Sequence, residues 1–275
     1  MQVFYENKSE KVYCRNIKGH ILQCGQHLHY NVEIAFIHSG LTYVYVDNNT
    51  AKTASGGDVV LVFPNQIHSF STKVPEEHIL LVIDPKKFPE YARLFSDFLP
   101  TDNIIKGAAK DKELLALIDN ISSIYDKKDL PYREQAMRGY ILAFLSRLFA
   151  LMEFKKTNAE DMNAIGHVIN YCINNYEKNL SLDLLEKELH INKYYISHII
   201  NKKLGMNFND YINSIRVSNA CIHLVQSNMS ISEKSEAVGF NTVRTFNRAF
   251  TKQTGLSPRN YKNRNLEKAK IKSTV

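Results

Sequence analysis

The sequence of 275 residues is 44% hydrophobic and 23% charged. That length accommodates one large domain or two ordinary ones, and this composition excludes a miniprotein and an intrinsically disordered chain. No apolar run approaches the roughly 18 residues that a membrane span needs, and the N-terminus lacks the pattern of a secretion signal. We therefore expect a cytoplasmic protein with no membrane partner.

The net charge of +7 is distributed unevenly along the chain. Residues 155–275 hold 18 Lys and Arg against 10 Asp and Glu, whereas residues 1–154 hold 17 against 18. A basic half attached to a neutral half suggests that the second half binds a polyanion such as nucleic acid. A solvated basic face is the alternative interpretation of the charge alone. The four cysteines form no CxxC pair, so they predict neither a zinc ribbon nor a disulfide framework.

The first half of the chain has the pattern of short strands. Turn residues at Ser39-Gly40 and Ser55-Gly56-Gly57-Asp58 separate segments that are rich in Val, Ile, Tyr and Phe. These segments are 32–38, 41–46, 59–63 and 79–83. Several short strands at this spacing favour a small barrel or sandwich.

Helical spacing replaces the strand pattern near Leu114. One helix carries apolar residues from Leu114 to Tyr125, and a second is predicted from about Tyr132 to Phe154. The pair predicts a helical hairpin beside the barrel, which serves as core or also supplies a dimer seam. A short polar stretch at 155–160 marks the expected domain boundary.

Beyond this boundary every segment has helical periodicity, and the sequence repeats at an offset of fifty residues. Ile196, Ile200, Gly205 and Tyr211 align with Phe246, Phe250, Gly255 and Tyr261. Each copy predicts a short helix, a tight turn and a second helix, with Asn192 and Asn241 as the expected N-caps. This is helix-turn-helix geometry, in which the second helix presents its outer face to the major groove of DNA.

The repeated residues resemble the AraC/XylS family of transcription regulators. The resemblance covers about residues 164–262 and is specific in combination: Gly239-Phe240, Phe246 with Phe250, and Gly255-Leu-Ser-Pro258 with Tyr261. It implies a regulator that binds double-stranded DNA as a homodimer, with activation favoured over repression and contact with RNA polymerase compatible with that role. By position, it implies the DNA-binding residues Lys193, Tyr194, Ser197, His198, Lys202, Thr242, Arg244, Asn247, Arg248 and Lys252.

Three residues depart from the family pattern. Family members usually have a small Ala where this chain has Glu186 and Ser235, and an apolar residue where Lys234 stands. We expect Lys234 to snorkel to the surface, and Glu186 to reach the domain edge or to pair with a neighbouring Lys.

Two motifs in the first half resemble those of the cupin barrel. His27-x-His29-x-x-x-Glu33 precedes Gly40, and Gly57-Asp58 precedes His68. If residues 27, 29 and 33 lie on one strand, they share parity and point to the barrel lumen. These side chains and His68 are of the types that bind Fe, Mn, Ni or Zn. We instead favour a pocket for a sugar or related metabolite without metal or cofactor, although structural polar groups are an alternative. Its expected lining is His27, His29, Glu33, Tyr43, Tyr45 and His68.

The expected fold class is therefore α+β. A cupin-like β-barrel with a helical hairpin occupies residues 1–154, and an all-α domain of two helix-turn-helix units joined by a linker helix occupies 160–265. The expected function is a DNA-binding transcription regulator controlled by a small-molecule effector, and not an enzyme. The alternatives are a metal-dependent cupin enzyme with a helical appendage and a constitutive DNA binder. The sequence contains no nucleophile elbow, phosphate loop or dinucleotide fingerprint.

Overall fold

A computed structural model of the protein describes residues 4–6, 12–21, 23–47, 50–156, 159–226 and 229–264. Its contacts divide the chain into two units: an N-terminal unit, Lys8–Asn163, and a C-terminal unit formed by Ala164–Val275 together with Met1–Asn7. The strand Phe4–Tyr5 (β1) groups with the C-terminal unit, where it contacts the helix Phe208–Gln226. The linker expected at 155–160 lies partly outside the described residues, because 157 and 158 are not among them.

Two antiparallel sheets form the N-terminal unit. One contains, in spatial order, β3 (Gln23–Leu28), β8 (His68–Thr72), β5 (Leu41–Val46) and β6 (Lys52–Ser55). The other contains β11 (Ile104–Ile105), β7 (Val59–Val62), β4 (Val32–Ser39), β9 (Glu76–Ile83) and β2 (Val12–His20). A core with side chains from both sheets lies between them, which confirms the predicted barrel-like class. The four predicted segments correspond to β4, β5, β7 and β9, whereas the sequence analysis named no strand at β2, β3, β6, β8 or β11.

The central strands of the second sheet are buried on both faces, which explains their nearly continuous Val, Ile and Leu content. In β4, Ala35 and Ile37 face the core between the sheets, whereas Ile34 and Phe36 face a second core that includes helical side chains. The first sheet has one solvent-facing side, so β5 alternates instead. Its residues Thr42, Val44 and Val46 are buried and the residues between them are more exposed.

The predicted helical hairpin is present as α2 (Lys112–Asp126) and α3 (Arg133–Ala150). Asp111 caps α2 by accepting hydrogen bonds from the N–H groups of Glu113 and Leu114. The hairpin is preceded by short helical turns at Pro85–Lys87, Pro89–Tyr91 and Ala108–Lys110, by helix α1 (Ala92–Asp97) and by strand β10 (Phe98–Pro100).

The predicted extension of the second hairpin helix to Phe154 is wrong. Helix α3 ends at Ala150, and Phe154–Lys156 forms a short strand, β12, that pairs with β10. The Phe154 ring stacks on that of Phe63, with centroids 5.8 Å apart, and lies edge-on to Phe149. The stacking of Phe154 on Phe63 stabilises strand β12 in place of further helix. The two residues are far apart in sequence.

From Ala159 onward the secondary structure is helical. The helices are α4 (Ala159–Asn175), α5 (Leu182–Leu189), α6 (Lys193–Leu204), α7 (Phe208–Gln226), α8 (Ile231–Ala237), α9 (Val243–Thr254) and a last one at 258–264. Their ends follow the expected chemistry. Asn192 caps α6, Ser230 and Glu233 form a capping box on α8, and Gly205 and Gly255 close α6 and α9 in the left-handed conformation.

The second helix-turn-helix unit is held to the linker helix α7 by aromatic packing. Phe246 and Phe250 are fully buried against Val217 and Leu224 of α7 and against Phe240 in the turn. Arg216 of α7 lies over the Phe240 ring, and its guanidinium donates hydrogen bonds to the carbonyl oxygens of Tyr176 and Lys178. One arginine therefore ties the linker helix both to the turn and to the segment after α4.

The expectation that Lys234 snorkels to the surface is wrong. Lys234 is fully buried in α8, and its neighbour Ser235 is 1% exposed. Burial is the main cause that lowers the pKa of Lys234, and the nearby Lys262 lowers it further. The packing around α8 encloses the whole side chain, which helical periodicity does not predict.

Gly239 makes a close approach that no other residue type permits. Its φ is +87°, and a Cβ would lie 2.6 Å from the carbonyl oxygen of Glu177 and 2.8 Å from that of Tyr176.

Gly239→Ala should therefore destabilise the C-terminal unit by more than the roughly 1 to 2 kcal/mol that a left-handed conformation costs an alanine. Gly205→Ala is the matched control, because Gly205 is also left-handed but has open space around the added methyl. Thermal unfolding followed by circular dichroism compares them, and equal losses would contradict the steric explanation.

Candidate DNA-reading helices and a buried polar cluster

Helix α6 is divided into a buried and an exposed face. Ile196, Ile199, Ile200 and Leu204 are buried, whereas the exposed arc contains residues 194, 197, 198, 201 and 202. Ser197 is half-buried within this arc, and Tyr194 is 75% exposed. The buried isoleucines hold the helix on the unit, so the polar arc faces outward.

Helix α9 repeats this division fifty positions later. Phe246 and Phe250 are buried, and the residues at 244, 247, 248, 251 and 252 are exposed. Each of these exposed positions lies fifty residues after an exposed position of α6. The arc of α9 offers Arg244, Asn247 and Arg248, whose side chains carry guanidinium and amide donors.

Three of the predicted DNA-binding residues already have partners within the unit. The Lys193 ammonium lies 2.6 Å from an Asp183 carboxylate oxygen, and the Lys252 ammonium lies 3.0 Å from one of Asp210. Thr242 caps α9: its hydroxyl oxygen accepts the N–H of Thr245. Lys193 and Thr242 lie at the N-terminal ends of α6 and α9, whereas Lys252 lies in the last turn of α9.

The structure corrects one cap and adds two positions to the exposed arcs. The residue that caps α9 is Thr242 and not Asn241, because the turn at Gly239-Phe240 is one residue longer than expected. Asn201 and Thr251 lie near the middle of the two arcs and are exposed, yet the family pattern did not single them out. Helical spacing from Ser197 and Asn247 could have identified them.

Glu186 supports the first reading helix. Its carboxylate accepts a hydrogen bond of 3.1 Å from the backbone N–H of Lys193, the first residue of α6. The sequence predicted that Glu186 reaches the domain edge or pairs with a neighbouring lysine, and its observed partner is the backbone N–H of a lysine rather than the ammonium. An acidic side chain at a helix N-terminus also interacts favourably with the helix dipole.

In the N-terminal unit, four predicted site residues meet in a buried cluster. His27, His29, Glu33 and His68 are each 1% to 3% exposed, and their potential ligand atoms all lie within 4.8 Å of one another. The His29 Nε2 is 3.0 Å from one Glu33 oxygen, and the His68 Nε2 is 3.9 Å from the other. The rings of His27 and His68 are 4.1 Å apart, because these residues are direct partners across β3 and β8.

The three imidazoles share one orientation relative to the backbone. The Nδ1 of each ring is 2.9 to 3.1 Å from a carbonyl oxygen: Gly25 for His27, Asn31 for His29 and Gln66 for His68. A carbonyl oxygen only accepts hydrogen bonds, so each Nδ1 is the donor, and Nε2 is the ring nitrogen that remains for a second partner. Burial is the main cause that lowers the pKa of His68 to about 3, so its ring is neutral at physiological pH.

Two parts of the predicted pocket are wrong. Tyr43 and Tyr45 lie on the outer face of β5, where Tyr45 is 37% exposed, because the buried positions of this strand are 42, 44 and 46. Residues 27, 29 and 33 also do not share one strand. His27 is in β3, Glu33 is in β4 and His29 lies between them, so a turn rather than strand parity brings them together.

A separate groove in the N-terminal unit lies between β2, the turn at residues 85–88 and the hairpin. Its volume is about 720 Å³, within the range of small-molecule sites. Its apolar lining includes Val12, Phe88, Met137 and Ile141. The charged lining residues are Lys87, Lys128, Arg133, Glu134 and Arg138.

Two family models match the chain. The AraC-like ligand binding domain matches residues 20–162, and a helix-turn-helix domain matches residues 185–264. With the two exposed helices, these matches define a DNA-binding transcription regulator that carries a ligand-binding domain at its N-terminal side. The chain belongs to the AraC family, which confirms the resemblance drawn from its sequence.

Several relatives are regulators. The Msm operon regulatory protein of Streptococcus mutans is 21% identical over 238 residues, which are 84% of this chain and 84% of that protein. The lactose operon transcription activator of Staphylococcus xylosus is 26% identical over 98 residues, 36% of this chain and 35% of that protein. YtdP of Bacillus subtilis, an uncharacterized HTH-type transcriptional regulator, is 29% identical over 107 residues, 39% of this chain. The chain spans 14% of that longer protein.

Solved structures of ToxT from Vibrio cholerae share the fold. A single-substitution variant of ToxT in its apo form has a TM-score of 0.63 at 17% identity, with 94% of this chain and 98% of that chain covered. ToxT with bound unsaturated fatty acid has a TM-score of 0.60 at 18% identity, with 91% of this chain and 94% of that chain covered.

Within the described part of this chain, none of the helices has the length and apolar content that crossing a membrane requires.

Thr242 and Asn241 provide a direct test of the cap on α9. Thr242→Ala removes the side-chain acceptor for the Thr245 N–H and should lower the free energy of unfolding by about 0.5 to 2 kcal/mol. Asn241→Ala, at the exposed neighbouring position, should change it by less than about 0.5 kcal/mol. Chemical denaturation followed by circular dichroism measures both free energies of unfolding. A larger decrease for Asn241→Ala than for Thr242→Ala would show that Asn241 is the N-cap, as the sequence predicted.

Proposed function

We propose that the protein is a homodimeric transcription activator whose DNA binding is controlled by a small-molecule effector bound in the N-terminal unit. The observation that carries the proposal is the equivalent exposed arc on α6 and α9. A polar face repeated at a constant offset, on helices whose other faces are buried, supports two DNA-reading elements in one chain. The proposed domain limits are those expected from the sequence, 1–154 and 160–265.

The side chains on the two arcs have complementary roles in this proposal. Arg244 and Arg248 would read guanine through two hydrogen bonds each, and Asn247 would read adenine. Lys202 and Lys252 would contact phosphates, which position the protein without reading sequence. In the first unit the reading groups are Tyr194, Ser197, His198 and the added Asn201.

The linker helix suits two adjacent sites on one duplex. Helix α7 has 19 residues and is therefore about 28 Å long at ~1.5 Å per residue. One duplex turn is about 34 Å, so two reading helices at the ends of α7 match successive major-groove segments.

Activation is favoured because the Staphylococcus xylosus relative is a transcription activator, and contact with RNA polymerase belongs to that role. The alternative of a cupin enzyme is disfavoured, because an appendage needs no pair of exposed reading helices.

Two classes of effector are candidates. The sequence favours a sugar or related metabolite bound by His27, His29, Glu33 and His68, but the two tyrosines expected to complete the lining face outward. The 720 Å³ groove favours an amphiphilic anion, because its lining combines apolar side chains with four cationic side chains against one carboxylate, that of Glu134. The fatty acid in a ToxT structure supports this second class. We therefore propose the groove as the effector site.

Arg248→Ala tests base reading by α9. Loss of a bidentate guanine contact should weaken binding to a preferred site by about 1 to 3 kcal/mol and relax the preference at that base pair. The preferred site is selected by the protein from random duplexes, and fluorescence anisotropy at fixed salt gives both affinities. Arg93→Ala is the matched control, because Arg93 is exposed on α1 in the other unit. Equal losses on selected and random DNA would contradict base reading.

A thermal-shift panel of sugars and straight-chain carboxylates tests the effector site. A carboxylate should raise the midpoint of thermal unfolding, because a ligand that binds only the folded state stabilises it. Lys128→Glu, in the groove, should reduce this shift, and Lys112→Glu, outside the lining, should retain it. A shift produced only by sugars and kept in both variants would reject the groove, and no shift from either class would reject these effector classes.

A further inference from the structure

The cluster of His27, His29, Glu33 and His68 brings lone pairs together. The Nδ1 atoms of all three rings lie 2.9 to 3.1 Å from carbonyl oxygens, and the Nε2 atoms of His29 and His68 lie 3.0 and 3.9 Å from the Glu33 oxygens. At 3.0 Å, the Nε2 of His29 and a Glu33 oxygen are two acceptors in contact unless a proton or another cation lies between them.

His68 adds an independent observation. Its side chain is fully buried, and its Nε2 makes no hydrogen bond. A buried polar atom without a hydrogen bond is costly, so its presence in a native structure calls for a partner. One oxygen of the Glu33 carboxylate lies 3.9 Å from this Nε2, beyond hydrogen-bond length, and the ligand atoms of all four residues lie within 4.8 Å of one another.

We propose that His27, His29 and His68, through their Nε2 atoms, and Glu33, through its carboxylate, bind one divalent transition-metal ion. Ligand atoms about 2.1 Å from one ion lie roughly 3 to 4 Å from each other, and the observed separations reach 4.8 Å at most. A small contraction of the cluster around an ion is therefore sufficient. The carbonyl contacts supply the outer shell that orients ligand histidines and stabilises the required tautomer.

The donor set selects the class of ion. Three imidazole nitrogens and one carboxylate suit zinc, iron, nickel or manganese, whereas calcium and magnesium require mostly oxygen ligands. The ligands also come from both sheets: His27 and His68 from β3 and β8, and Glu33 from β4. An ion at this point joins the two sheets, so its removal should lower the stability of the N-terminal unit. The inference is independent of the proposed DNA and effector sites.

Metal content and zinc affinity of the full-length chain test this inference. The protein purified without a metal-affinity tag should contain close to one equivalent of transition metal by mass spectrometry, or should take up one equivalent of Zn²⁺ in equilibrium dialysis after chelation. Glu33→Gln and His68→Gln should each weaken Zn²⁺ binding at least about 10-fold, the smallest loss usual even for outer-shell changes. Chelation should lower the midpoint of thermal unfolding, and Zn²⁺ should restore it.

Glu76→Gln is the matched control. Glu76 and His78 form another buried His–carboxylate pair in the same unit, with 3.1 Å between His78 Nδ1 and a Glu76 oxygen, but lie outside the cluster of four. This variant should keep one equivalent of Zn²⁺. Absorption of Co²⁺-loaded protein provides a second readout, because replacing Glu33 should change the ligand-field bands even if thermal stability also falls. Folded wild-type protein that binds no metal, or metal binding unchanged in Glu33→Gln and His68→Gln, would overturn the proposal.

Discussion

A helix can present a polar face to a partner only if its opposite face is held in place, and this constraint governs the C-terminal unit. Phe246 and Phe250 in α9, like Ile196 and Ile200 in α6, are fully buried. Each such side chain contributes roughly 1.5 to 3 kcal/mol on burial. The apolar side of each reading helix thus supplies the stability that allows the other side to consist of Arg, Lys, Asn and Ser.

The scaffold around these helices depends on contacts between residues far apart in sequence. Arg216 connects the linker helix to carbonyl groups at Tyr176 and Lys178, and Gly239 passes close to the same segment. The linker helix and the turn before α9 are therefore positioned by one compact set of backbone contacts. The proposed reading of two groove segments requires this stiffness, because a change in the angle between the two helices would misalign one of them with its bases.

The N-terminal unit combines an apolar core with a concentrated polar site. Strands β4, β7 and β9 contribute Val, Ile and Leu to cores on both of their faces. By contrast, the four polar side chains of the cluster lie together, with their potential ligand atoms within 4.8 Å of one another. Buried polar groups are tolerated when their hydrogen-bonding capacity is satisfied. The carbonyl contacts satisfy one nitrogen of each histidine, and in the proposed site the other nitrogens and Glu33 bind the ion.

The amino-acid sequence alone determined the family, the helix-turn-helix repeat and the hairpin, and its motifs singled out His27, His29, Glu33 and His68, because these depend on local periodicity and motif spacing. Tertiary structure decided the rest: the outward direction of Tyr43 and Tyr45, the end of α3 before Phe154, the burial of Lys234 and the cap at Thr242. Strand pairing selects which face of β5 is buried, and aromatic packing of Phe154 on Phe63 ends the helical path. Both effects arise from contacts between residues distant in the chain, so local sequence patterns do not predict them.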